Sequence, residues 1–159
     1  MKFSINEEPV FSEGVDYRVD LARGVRWESY RGRVLLDDVK ELAGVIGSDP
    51  ACSEKDHCLI DLSGADLRMS ANDVLRWALC FRKDGYRTRG WLVFVVGDSL
   101  AFGMVRMLGQ WARCSHRIKI FRNRVDAELW MAGNLHRRPV AFLQGDEQTP
   151  SRQQALAAV

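Results

Sequence analysis

Ser70 and Asp73 stand three residues apart, just ahead of an apolar-periodic run. A serine in that place accepts from the first free N–H groups of a helix, and an acid at the third position answers it, as in a capping box. The same hydroxyl is a candidate phosphorylation site. A phosphate there would meet unpaired N–H groups and the positive end of the helix dipole, with Arg68 nearby. Asp61 and Ser63 lie where an apolar strand ends in Ser63-Gly64, the region in which α/β sheets place ligands. An acid there can bind a metal, act as a base or cap a turn. No second acid, histidine or nucleophile stands at a defined spacing from it. Ser70, Ser63 and Asp61 are therefore grouped as a candidate phosphorylation and partner face. A second group surrounds Arg106, which sits between Val105 and Met107 with Gly103, Met104 and Trp111 close in sequence. It suits an anion or carboxylate contact beside an apolar pocket, or a surface arginine with its stem along apolar neighbours. Gly103 costs about 1 kcal/mol against alanine inside a helix, which points to a close neighbour that needs the space.

Other reactive types lack a pattern. Cys52, Cys58, Cys80 and Cys114 form no C-x-x-C pair, as expected of reduced, often buried thiols. His57 and Cys58 are adjacent on a predicted strand and point to opposite faces, so no metal is expected there. His116 and His136 have no motif context, and His116 is expected to be solvated. Trp27, Trp77, Trp91, Trp111 and Trp130 all fall on predicted elements and are expected mostly in the core. Met104, Met107, Trp111, Trp130 and Met131 could together line an apolar cavity. Phosphate-binding, dinucleotide, nucleophile-elbow and zinc-protease motifs are missing from the sequence. The expectation is a chain that is not an enzyme and takes no cofactor.

The elements that must position these residues follow from period and punctuation. Tyr17–Leu21 and Val25–Tyr30 alternate around a turn at 22–24 and predict an antiparallel hairpin, with Val25, Trp27 and Ser29 on one face. Gly32 is read as the end of the second strand. Leu35, Val39, Leu42 and Ile46 mark one helix face, stopped by Gly47–Pro50. Cys58–Leu62 and Trp91–Val96 are near-continuous apolar strands of the kind buried on both faces, and Ser63-Gly64 is read as a turn. Between them a helix capped by Ser70 carries Val74, Trp77, Ala78 and Phe81, closed by Asp84-Gly85. A helix capped by Asp98 or Ser99 carries Ala101, Met104, Val105, Leu108 and Trp111. A strand over Ile118–Phe121 and a helix capped by Asn123, carrying Val125, Leu129, Trp130 and Gly133, complete the order β-β-α-β-α-β-α-β-α. Alternation of this kind predicts an α/β fold: a mostly parallel sheet of about five strands, an N-terminal antiparallel hairpin and helices on both faces. Residues 1–15 are expected to form a flexible arm, 16–135 a single domain, and 136–159 a loosely ordered tail.

The 159 residues are 47% apolar and 28% charged, enough for one core without disulfides. No apolar run approaches the roughly 20 residues of a membrane span, and the start of the chain lacks a signal-peptide pattern. A cytoplasmic location is expected. Residues 1–66 hold 8 basic and 14 acidic residues, whereas 67–159 hold 15 and 7. The second part thus carries a net +8 that suits either a solvated face or an anionic partner.

Several of these pieces together resemble the small bacterial SpoIIAA-like proteins of the STAS class, which includes anti-sigma-factor antagonists. They are Phe102-Gly103-Met104-Val105-Arg106-Met107, Ile120-Phe121-Arg122 and Ala127-Glu128-Leu129-Trp130-Met131, with Asp61-Leu62-Ser63 after the third strand. The resemblance covers about residues 16–133. It implies a regulatory or protein-interaction module, switched in the antagonists by phosphorylation of a serine at the start of the helix after the central strand. In an ungapped match Ser70 takes the place of the first serine of that motif, Ala71 that of the usual acceptor, and Met69 that of the acid.

The leading expectation is a non-catalytic module that binds another protein through the face at Ser70. The alternative is a carrier or sensor of an apolar or lipid-like small molecule held between helix 99–113 and the sheet. Nucleic acid is not the expected partner.

Overall fold

The computed structural model describes residues 14–83 and 86–137. The expected arm up to residue 13, the helix stop at Asp84-Gly85 and the tail from residue 138 onward lie outside the described residues. The elements are β1 (Val15–Asp20), β2 (Val25–Val34), α1 (Leu36–Ser48), β3 (His57–Leu67), α2 (Ala71–Cys80), β4 (Leu92–Val96), α3 (Ser99–Trp111), β5 (Ile118–Phe121) and α4 (Arg124–Asn134).

One five-stranded sheet runs in the order β1-β2-β3-β4-β5. The β1–β2 hairpin is antiparallel and every later pairing is parallel. Sequential order has a simple consequence. Each parallel crossover is right-handed and steps the same way, so α1, α2 and α3 all land on one face. Their apolar stripes, among them Val39, Leu42, Ile46, Val74, Trp77, Val105 and Leu108, pack on Tyr30, Ile60, Leu62, Phe94 and Val96. Helix α4 follows the last strand and covers part of the other face, where Ala127 and Met131 meet Val25, Leu59, Val93 and Val95. Helices do cover both faces, but as three against one.

Several expected boundaries move. Gly32 does not end β2, because its φ of +69°, open to glycine, lets the strand pass through to Val34. Ser63-Gly64 is not a turn either. Strand β3 continues through a bulge, where register passes from Ser29↔Asp61 to Arg31↔Gly64. The extra residue turns Leu67 onto the sealed face, where it is buried in the same cluster as its partner Val34. Leu35 is the exposed N-cap of α1, and Leu36 takes its place in the core.

The amphipathic assignments shift at both later helices. Trp111 is 37% exposed, and Gly109 fills the core position because a Cβ there would stand 2.7 Å from Ile118 Cδ1. On α4 the buried residues are Ala127 and Met131, whereas Val125 and Leu129 point outward at 66% and 68% exposure. Of the five tryptophans only Trp77 is fully buried. Among the described residues no helix is long and apolar enough to cross a membrane.

Candidate functional site

The pleat sets Arg18, Trp27, Leu59 and Val93 in one row across the sheet, on the face of α4. Among the described residues, helix α4 covers the β3–β4 end of that row and leaves the hairpin end open. Between the helix and the hairpin lies a groove of about 870 Å³. Val25, Trp27 and Met131 give it an apolar lining, extended by Leu135 and by Leu21 at the hairpin tip. Leu21 is 74% exposed. Arg18, Asp20, Arg23 and Glu128 supply charge around it.

Trp27 is the centre of this face. The Arg18 guanidinium lies 4.9 Å from its ring centroid and that of Arg124 lies 5.3 Å away. Each contact is worth about 0.5–1 kcal/mol at an exposed position. Arg124 is held in turn by Glu128, at 2.7 Å, and by Asp61, at 3.6 Å. Asp61 accepts from the Ser63 backbone N–H at 3.0 Å and from the Ser63 hydroxyl at 2.6 Å. Asp61 and Ser63 are thus brought together, as the sequence suggested. They act on Arg124, which orients a cation beside the tryptophan. The arrangement can grip an apolar side chain on Trp27 and an acid on the neighbouring guanidinium groups.

Ser70 stands apart from that pair. It lies beyond the end of β3 as the N-cap of α2, where its hydroxyl accepts from the Asp73 N–H and donates to the Asp73 carboxylate at 2.8 Å. The backbone N–H of Ser70 donates to the same carboxylate, completing the capping box. These bonds hold the Asp73 carboxyl below its ordinary range.

The Arg106 group is divided. Met104 is buried in the three-helix core, Met107 is half-buried, and Arg106 and Gly103 are exposed. A Cβ on Gly103 would meet nothing within 4 Å, so the expected close neighbour does not exist. Arg106 borders a recess of about 400 Å³ with Phe102, Val105, Ile118 and Ile120, which Trp111 does not reach. Trp130 and Met131 pack in the opposite core cluster from Met104 and Met107, so the sheet separates the cavity lining suggested by the sequence. Among the described residues no group of three or more ligand-type side chains could hold a metal. His57 Nδ1 accepts from the Trp91 N–H at 2.9 Å, while the Cys58 thiol donates to Glu28 on the other face.

That last contact belongs to a polar network the sequence reading missed. Arg26 and Glu28 are sealed on the three-helix face at 0% and 1% exposure. Arg26 Nε donates to Glu28 Oε1 at 2.9 Å, and the Tyr86 ring lies 4.7 Å from the guanidinium. The Tyr30 and Tyr86 hydroxyls donate to Glu28 Oε2 at 3.2 and 3.0 Å. Burial and the Glu28 charge push both phenols well up, and burial does the same to the Cys58 thiol, so all three stay neutral donors. Burial would lower the Arg26 pKa, but the Glu28 carboxylate at 2.9 Å keeps the guanidinium charged. A signal was present in the sequence: Arg26, Glu28 and Tyr30 recur every second residue and so share one face.

Comparison with protein-family models, with curated proteins and with solved structures finds no match to this chain.

Proposed function

We propose that the chain is a non-catalytic interaction module of the STAS-like kind, and that it docks a partner protein on the half-open face beside α4. One observation carries this reading: half-buried Trp27 lines an apolar-floored groove with two guanidinium groups over its ring. Tryptophan and arginine ringed by polar groups are the composition of interaction hot spots. The partner segment that fits presents an apolar side chain to Val25, Trp27 and Met131, with an acid beside it for Arg18. Arg18 makes no ion pair among the described residues, whereas Arg23 and Arg124 have acidic partners. The carboxylates singled out from sequence support the same reading. Asp61 accepts from Ser63 and holds Arg124 beside Trp27, while Asp73 closes the α2 cap with Ser70. The carrier alternative keeps only the recess of about 400 Å³ between Phe102, Val105 and Arg106 of α3 and Ile118 and Ile120 of β5, because Met104 and Leu108 are packed into the core.

The test compares affinity capture by the wild type, Leu21→Asp, Arg18→Glu and Leu129→Asp. Leu129 is an equally exposed leucine outside the groove and serves as the control. A partner kept by wild type and Leu129→Asp but lost from the other two, with hydrogen-exchange protection at β1 and β2 in the complex, supports the groove. Capture indifferent to Leu21 and Arg18, or protection elsewhere, overturns it.

A further inference from the structure

The amino ends of β4 and β5 are flanked by a second cavity, of about 610 Å³, lined by Arg82, Arg87, Arg113, His116 and Arg117 over Phe81 and Ala112. We propose that this cavity binds a small molecule bearing two linked phosphate groups. The site is independent of the groove beside α4, which shares no residue with it.

Four features carry the assignment. The first is charge without compensation. Among the described residues Arg82, Arg87, Arg113 and Arg117 make no ion pair, while Arg89 at the same rim is paired with Glu54 at 3.0 Å. The second is a fixed arginine. Arg117 is half-buried and donates from Nη1 to the carbonyls of Thr88 and Gly90, at 2.5 and 2.9 Å. Burial lowers its pKa and the Arg87 charge lowers it too, against an opposite effect of Cys114, so like charges are held together with no acid to offset them among the described residues. An anion between them would remove that repulsion.

The third feature is Arg113. It follows the C-cap of α3 at φ +55°, the sole non-glycine with positive φ among the described residues. Glycine is the usual residue at such a helix end because it has no Cβ to strain. An arginine kept there trades local backbone ease for a guanidinium at the cavity. The fourth is the match of charge and size. One phosphate monoester carries about −1.5 to −2, roughly half of what four guanidinium groups can neutralise, so two linked phosphates fit the set. Planar guanidinium forks bind phosphate oxygens in pairs, and the volume lies in the range of small-ligand sites.

The experiment is titration calorimetry on the full chain with inorganic pyrophosphate, inorganic phosphate, sulfate and a single-stranded oligonucleotide, at about 0.15 M salt. One pyrophosphate should bind per chain, at least about tenfold tighter than phosphate or sulfate. Arg87→Gln and Arg113→Gly should each weaken it about tenfold or more, while Arg33→Gln, outside the cavity, should leave it unchanged. Arg113→Gly should do so with an unchanged or higher melting temperature, since glycine relieves the positive φ. A residue that merely closes the helix would show the stability gain without the binding loss. No saturation by pyrophosphate up to about 1 mM overturns the proposal. So do equal affinities for phosphate and pyrophosphate, or wild-type binding by Arg87→Gln and Arg113→Gly. An oligonucleotide that binds tighter than pyrophosphate at the same arginines also overturns it, in favour of a nucleic-acid surface.

Discussion

The Arg26–Glu28 pair should behave as a sealed unit whose halves are far more costly to lose singly than together. Its side chains are 1% and 0% exposed, so neither charge reaches water. Arg26→Met leaves the Glu28 carboxylate with three neutral donors, Tyr30, Tyr86 and Cys58, and no cation. Removing one member of such a buried pair costs about 3–5 kcal/mol. Glu28→Gln removes the counter-charge and leaves the guanidinium with neutral acceptors alone, the amide oxygen, the Tyr86 carbonyl at 3.4 Å and the Tyr86 ring, at a similar cost.

The double variant Arg26→Met/Glu28→Gln removes both charges and keeps an amide within reach of the two tyrosine hydroxyls. Its cost should be about 2 kcal/mol or less, since replacing both members of a buried pair is often close to neutral. The coupling between the two changes is then at least about 4 kcal/mol, beyond the usual range of about 0.5–3 kcal/mol for residues in contact. Urea unfolding followed by tryptophan fluorescence reads it. With a slope of about 2 kcal/mol/M, each single change should lower the midpoint by about 2 M and the double by about 1 M or less. Single changes that cost under about 1 kcal/mol each, or that add in the double, would refute a sealed pair. If the single variants fail to fold, the double must still refold with a midpoint near that of the wild type.

Ser70→Ala should cost about 0.5–2 kcal/mol, because it deletes a hydroxyl that both accepts and donates in the α2 cap. Ser70→Asp should melt near the wild type, since an acid suits a helix start; capture of the partner should not respond to either change if the hydroxyl is only a cap. Asp73 contributes stability that is complete above the unfolded carboxylate range of about 3.9 and is lost as pH falls through its lower folded value. Acid titration of stability should therefore be shallower in Asp73→Asn than in the wild type. Gly103→Ala should raise stability by about 0.5–1 kcal/mol, since a methyl there meets open space inside a helix; a loss measured by thermal melting would show that the position is crowded after all.

Legibility in the sequence tracked the reach of each signal. Element order, sheet class and the caps at Ser70 and Asn123 depend on short spacings and were readable directly, and the cap of α3 was narrowed to Asp98 or Ser99, of which Asp98 holds it. What the second face would contain was not. The alternation of Val25-Arg26-Trp27-Glu28 reads as one apolar and one polar face, and the usual inference sends the polar one to water. Strand β2 is paired on both sides and its polar face lies under the helices, so Arg26 and Glu28 had to find partners inside. Those partners stand 30 and 58 residues away from Glu28, beyond any local pattern. The arginine cavity was hidden similarly: 67–159 showed an excess of basic charge, but only the meeting of 82–89 with 113–117 localises it. Trp111, Val125 and Leu129 erred the other way, because helical spacing defines a stripe without saying which side the core lies on.

Topology explains why function is sought at the groove and the arginine cavity and not at the carboxyl ends of the strands. In open α/β sheets the ligand crevice forms where the strand order reverses and neighbouring connections leave on opposite faces. Here the order runs β1 to β5 without reversal, and the three parallel crossovers share one face. No such crevice forms, and β3 runs six residues past Asp61, which therefore lies within a strand and not at its mouth. The same winding that closes this route opens another. Among the described residues, three helices on one face leave a single helix for the other, which does not cover five strands. The uncovered width falls over the hairpin, where Trp27 and Arg18 stand. A sheet of this topology thereby leaves a side-on face, and the chemistry that face offers is set by whichever residues alternate outward on the first two strands.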